Sequence, residues 1–174
     1  MSTRIKIGDL VEIQSKDGKY RYGQITHKEK EYGYLLTLFK DDFENPLKKF
    51  GDVLNDVVQF RVFYFLQLSL KKGLIKKVGN FPVREDLKPL PRFKGLLPLE
   101  FTNGVYKWAI WENGVTIKEY SENISREEKL YPMLHIIDHD TLLYNIDLGW
   151  CDGDLPYRDN EFGTGKNWRY EDYV

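Results

Sequence analysis

Residues 8–25 read GDLVEIQSKDGKYRYGQI. Asp17-Gly18 is a turn pair, and the runs on either side alternate apolar with polar residues, so the stretch predicts two short antiparallel strands. Tyr20 and Tyr22 fall on one parity of the second strand. Such a hairpin has two readings. It opens an SH3-like barrel whose strand tyrosines read a ligand, or it is scaffold for a protein whose partner surface lies elsewhere.

Upstream, IKIGDLVEI places Ile5, Ile7, Val11 and Ile13 on one parity, with a bend at Gly8-Asp9. Downstream, YGYLLTLF (32–39) and LIKKVGNFPV (74–83) read as strands, and REDLKPLPRF (84–93) as a Pro-rich connection. VVQFRVFYFLQLSL (57–70) has the clearest alternation: Val58, Phe60, Val62, Tyr64, Leu66, Leu68 and Leu70 share one side. Phe63 and Phe65 interrupt the polar side, so the run predicts one long strand, covered fully on one face and half on the other.

In YKWAIWENGVTIKEY (106–120), Asn113-Gly114 predicts a two-residue type I′ turn, since both central positions take positive φ. That turn sets Glu112 opposite Val115, Ile110 opposite Ile117 and Trp108 opposite Glu119, with both isoleucines toward the core. SREEKLY (125–131) starts a helix with Ser125 and Glu128 at capping-box spacing, and Pro132 stops it. DHDTLLYNIDLGW (138–150) predicts a second helix, capped by Asp138 or Asp140 and ended near Gly149. The expected fold class is α+β: a strongly bent, mostly antiparallel sheet with SH3-like N-terminal strands and short helices in the C-terminal half. A single domain over 1–174 is expected, with 4–146 as its body and 147–174 as an acidic, aromatic C-terminal segment.

Composition sets the class. Of 174 residues, 41% are hydrophobic and 30% charged, which suits a globular chain with a real core. No run of about 18 apolar residues is present, so no membrane span or membrane partner is expected. The opening MSTRIKIGDL lacks the apolar core of a cleaved signal, and a cytoplasmic location is expected. Cys151 is the only cysteine, read as a buried free thiol. The net charge of −1 hides a split: Lys and Arg outnumber Asp and Glu 19 to 13 over residues 1–100, and are outnumbered 7 to 14 over 101–174.

The enzyme-like cluster is HIIDHD, with His135, Asp138, His139 and Asp140. Its aspartates read as helix caps, and an extended run before them separates the two histidines. No metal signature, Gly-rich phosphate loop or calcium loop is present, so no metal, cofactor or catalytic set is expected. The pairs Lys48-Lys49, Lys71-Lys72 and Lys76-Lys77 read as solvated surface, so a nucleic-acid partner is not expected. Tyr20, Tyr22, Tyr32 and Tyr34 read as packing tyrosines before groove tyrosines. The C-terminal segment is the preferred partner surface. Trp150, Tyr157 and Trp168 are interface-type aromatics, and Asp152, Asp154, Asp159, Glu161 and Asp172 would steer a basic partner. The alternative partner surface is Tyr20, Tyr22 and Trp111.

Several stretches in order — IKIGDLVEI, DGKYRYGQI, the long apolar run at 57–70, KVGNFP over Lys77–Pro82, LPRF and NGVYKWAIWENG — give the chain a resemblance. It resembles the immunity protein 26 family of bacterial polymorphic toxin systems over residues 4–146. The resemblance implies a small cytoplasmic α+β protein that is not an enzyme and that neutralises a cognate toxin by stoichiometric protein–protein binding. A nuclease is one candidate toxin, because it must carry positive charge to hold phosphate. The alternative function is an SH3-like module reading a peptide or nucleic acid through strand tyrosines. Residues 147–174 lie beyond the family's pattern, and the oligomeric state is open.

Overall fold

The computed structural model describes residues 4–97, 107–119 and 124–154. The chain is α+β, and its described residues fall into two compact units. One comprises residues 4–89 and 136–149, the other 90–97, 107–119, 124–135 and 150–154. No helix among the described residues is long and apolar enough to cross a membrane.

The first unit is built on a sheet of six strands: β1 (Asp9–Gln14), β2 (Tyr20–Glu29), β3 (Gly33–Phe39), β4 (Val58–Tyr64), β5 (Ile75–Asn80) and β9 (Ile136–Ile137). Their order is β5-β1-β2-β3-β4-β9, antiparallel throughout except for the parallel β4–β9 pair. The opening hairpin forms as its sequence predicts, with Glu12 opposite Tyr22 and Ile13 opposite Arg21. Gly23 sits inside β2 opposite Val11.

The bend before β1 needs glycine on two counts. Gly8 has φ +89°, and a Cβ there would lie 2.5 Å from the carbonyl oxygen of Phe81. Beside it, the carboxylate of Asp9 is buried and held by Lys77 Nζ at 2.7 Å and Asn80 Nδ2 at 2.8 Å, which tie β5 to β1. Burial departs from simple alternation here: Leu10 is as buried as Val11 and Ile13, whereas Ile7 is exposed. Leu10 packs into a cluster with Tyr22, Phe39, Val53 and Leu87 on one side of the sheet, so both faces of β1 are covered.

The long run at 57–70 does not stay extended. β4 ends at Tyr64, and Phe65 turns the chain into helix α2 (Leu66–Lys71). The helical period then buries Leu66 and Ser69 and leaves Phe65 and Leu68 half exposed. A short helix α1 (Gly51–Leu54) and a single 3-10 turn at Glu85–Leu87 complete the first half of the chain. Helix α4 (His139–Asp147) follows β9; Asp138 caps it by accepting from the Thr141 N–H at 2.9 Å, and Gly149 lies just past its end with φ +65°.

The second unit carries a three-stranded antiparallel sheet, β6 (Phe93–Leu97), β7 (Lys107–Glu112) and β8 (Val115–Glu119). Asn113 and Gly114 both have positive φ, at 51° and 80°, as a type I′ turn requires. Glu112 faces Val115 and Trp111 faces Thr116 as the turn requires, but the register shifts beyond Trp111. A bulge sets Ile110 opposite Lys118 and Ala109 opposite Glu119. Ile117 is the extra residue, and the shift turns it outward: it is 46% exposed while Ile110 is buried. Helix α3 (Arg126–Lys129) begins with the expected capping box, Glu128 N–H to Ser125 Oγ and Ser125 N–H to Glu128 Oε2.

Candidate functional site

The end of the six-stranded sheet near the β2–β3 turn holds an open groove of about 680 Å³. One bank is the turn itself, with Lys28, Lys30, Tyr32 and Tyr34. The other is the β4–α2 corner, with Phe65, Leu68 and Lys71, and Ile136 of β9 joins them. Three of these apolar side chains remain in water to a large degree: Phe65 at 50%, Leu68 at 50% and Ile136 at 40% exposure. The corner puts them there. Had the run stayed extended to Leu70, Leu68 would have shared the buried parity of Val62 and Tyr64.

The tyrosines of the groove are fixed from behind. Tyr32 packs on Phe63 with ring centroids 5.2 Å apart, and the Tyr34 hydroxyl donates to the Ile5 carbonyl at 3.3 Å. Lys28 Nζ stands 5.3 Å from the centre of the Tyr34 ring, a cation–π position. At the floor, Tyr64 is buried and its hydroxyl shares a hydrogen bond of 2.7 Å with His139 Nδ1. Burial pushes the Tyr64 phenol up to about 12 and pulls the His139 imidazole below its ordinary value. Both are therefore neutral at physiological pH, and the rim lysines give the groove its charge.

A second arrangement lies in the other unit. Lys94 of β6 is completely buried. Its ammonium donates to the carbonyls of Lys129 and of Asp152, the latter at 3.1 Å. Burial pulls this amine down to about 7, against the pull of the Asp152 and Asp154 carboxylates, which favour the charged form. The arrangement positions chain: Lys94 also exchanges backbone bonds with Pro132 and Leu134 at 2.9 and 2.8 Å. His135 packs edge-on to Trp150, with ring centroids 6.0 Å apart. Both of its ring nitrogens are shut off from solvent with no hydrogen-bond partner among the described residues, and burial pulls its pKa down to about 4.

The candidate residues read from sequence fall as follows. Trp150 is 2% exposed and Asp154 3%, and Asp154 Oδ2 accepts from the Cys151 N–H at 2.8 Å. Both side chains are buried in the second unit. Asp152 contributes its carbonyl to Lys94. Tyr157, Asp159, Glu161, Trp168 and Asp172 lie outside the described residues. Tyr22 is fully buried; its hydroxyl donates to Glu12 at 2.9 Å and accepts from the Leu47 N–H at 2.7 Å, which leaves it no role at a surface. Tyr20 packs on the same cluster as Tyr22, and Trp111 lies over Gly95, where a Cβ would come within 2.8 Å of its ring.

In the HIIDHD stretch, Asp138 is the cap of α4, and Ile136–Ile137 is extended. Among the described residues no group of three or more His, Cys, Asp or Glu side chains is placed to hold a metal ion. Cys151, the one cysteine of the sequence, is half-buried rather than buried. Sequence reasoning named Tyr32 and Tyr34 but missed Phe65, Leu68 and Ile136 as groove residues. The even-numbered positions stay apolar through Leu70, so the run carries no local mark of the corner at Phe65. Comparison with protein-family models, with curated proteins and with solved structures finds no match to the chain.

Proposed function

We propose that this chain is a stoichiometric protein-binding inhibitor of the immunity type, which neutralises a cognate bacterial toxin inside the producing cell. The observation that carries the reading is the groove of the first unit, whose lining includes Phe65, Leu68 and Ile136, each 40% exposed or more. Large apolar side chains left together in water at a concave site favour covering by a partner, at ~25 cal/mol per Å² removed from water. Tyrosines fixed from behind add rigid contact area at little entropic cost, since their rotamers are already chosen. Inhibition by occupancy asks for nothing more: a shaped surface, a few anchors and no reacting group.

Co-expression with a toxin domain encoded by the adjoining reading frame tests this. The toxin is expected to lose its lethality and to co-purify one to one with the chain. Replacing Phe65 and Leu68 together by Asp is expected to abolish both effects while leaving the fold intact, because both side chains already face solvent. Undiminished lethality at equal expression overturns the reading.

A further inference from the structure

We infer that the groove takes an acidic segment of its partner, one in which an aromatic or branched apolar anchor is flanked by carboxylates. The inference rests on the reading of this groove as the partner site and adds the chemistry of what enters it. Lys28 and Lys30 stand on one bank and Lys71 on the other, while Glu31 is the one acidic side chain of the lining. Among the described residues none of these four is in an ion pair. Their charges are therefore not neutralised internally, and the rim carries a surplus of positive charge.

Among the described residues, some other lysines of the same unit are paired, and others, such as Lys40 and Lys72, are not. Lys19 pairs with Asp42, Lys76 with Glu12 and Lys77 with Asp9. Lys28 is held at the lip by the face of Tyr34, so its charge is positioned rather than swinging free.

An apolar anchor would sit between Phe65, Leu68 and Ile136, within a volume in the range of ~300–1,000 Å³ that seats a few side chains. Carboxylates on either side of the anchor would then meet amines on both banks. A basic segment would meet like charge on both banks, which opposes binding. The partner charge is thus opposite to the one that the acidic residues of 147–174 suggest.

Two acetylated heptapeptides test the inference: Asp-Glu-Asp-Trp-Glu-Asp-Glu, and its counterpart with lysine in place of each acid. Binding is read from the peptide's Trp fluorescence or by calorimetry. The acidic peptide is expected to bind the parent and the basic one not to bind. Reversing the rim (Lys28→Glu, Lys30→Glu and Lys71→Glu together) is expected to weaken the acidic peptide about tenfold or more, and to admit the basic one. Raising salt from about 0.05 to about 0.5 M is expected to weaken the parent's binding and to leave the variant's nearly unchanged.

Equal binding of the two peptides, binding of neither, or an unchanged affinity in the rim variant overturns the inference. The Phe65→Asp variant separates the two readings. If it loses the peptide while the rim variant keeps it, the groove stands as a binding site and its acid preference falls. If it binds like the parent, the groove is not the peptide's site at all. Should the triple variant fail to fold, judged by its circular dichroism melt, Lys71→Glu alone and the salt series carry the same decision.

Discussion

Lys94 Nζ lies 3.1 Å from the carbonyl oxygen of Asp152, inside a unit where Lys94 has no exposed surface at all. A buried amine bound to carbonyls is a stabilising tie and an electrostatic cost at once. Its folded pKa of about 7 lies well below the ordinary 10.5. Between those values the unfolded chain binds more protons than the folded one, so stability rises with pH over that window. The full cost of the charged amine applies below pH 7. The gain from about pH 7 to pH 10 is expected to reach roughly 3–5 kcal/mol, counted at ~1.4 kcal/mol per pKa unit. Denaturant melts across that range measure it, and Lys94→Met is expected to flatten the rise. A parallel pH dependence in parent and variant would refute the assignment.

His135 makes the matching prediction on the acid side. Its folded pKa of about 4 lies below the ordinary 6.5, so acidification from pH 6.5 toward 4 withdraws stability as the unfolded chain takes up the proton first. The loss is at most ~3 kcal/mol. His135→Leu is expected to remove that part of the acid sensitivity. An imidazole signal titrating near 6.5 in the folded protein would contradict the burial of both ring nitrogens.

Gly8 and Gly18 both have positive φ, at +89° and +87°, but only Gly8 faces backbone at close range. Gly18→Ala is expected to cost ~1 kcal/mol, the price of the left-handed conformation alone. Gly8→Ala adds a collision with the Phe81 carbonyl and is expected to cost roughly 2–4 kcal/mol. Equal midpoints for the two variants in urea would show that the chain around Phe81 gives way.

The β7–β8 hairpin separates its two isoleucines. Ile110→Ala opens a cavity in the core and is expected to cost ~2–5 kcal/mol. Ile117→Thr changes an outward residue and is expected to stay within ~0.5 kcal/mol of the parent. Gly114→Val forces a β-branched residue to φ +80° and is expected to cost roughly 1–3 kcal/mol. A large loss at Ile117 would restore the unbulged register.

Helix α4 depends on its cap. Asp138→Ala removes the acceptor for the Thr141 N–H and is expected to cost ~1 kcal/mol. Asp138→Asn, which keeps an acceptor oxygen, is expected to recover most of it. Thermal melts of the two variants side by side decide whether Asp138 acts as a cap or has another role.

The sequence by itself determined what short-range chemistry controls. The turn at Asp17-Gly18 set the first hairpin, Asn113-Gly114 the type I′ turn, Ser125 with Glu128 the start of α3, and Asp138 the start of α4. Each is a local choice: a few backbone N–H groups and a φ value that one or two residues satisfy best. The α+β class followed from those elements together. Tertiary structure decided where alternation stops meaning burial. The run at 57–70 could serve as strand or helix by its apolar content, and the corner at Phe65 arises because Leu66 and Ser69 find burial as the first turn of a helix. The bulge at Ile117 is set by pairing with β7, which no residue in β8 announces. The groove depends on that corner meeting the β2–β3 turn and β9, residues far apart in the chain. Tyr22 and Lys94 are decided in the same way. A tyrosine on a strand and a lysine beside an apolar run look solvent-bound in sequence, and only the folded neighbourhood supplies Glu12 and Leu47 for one and two backbone carbonyls for the other. Burial of a polar group is fixed by whether its partners arrive, and those partners come from distant chain.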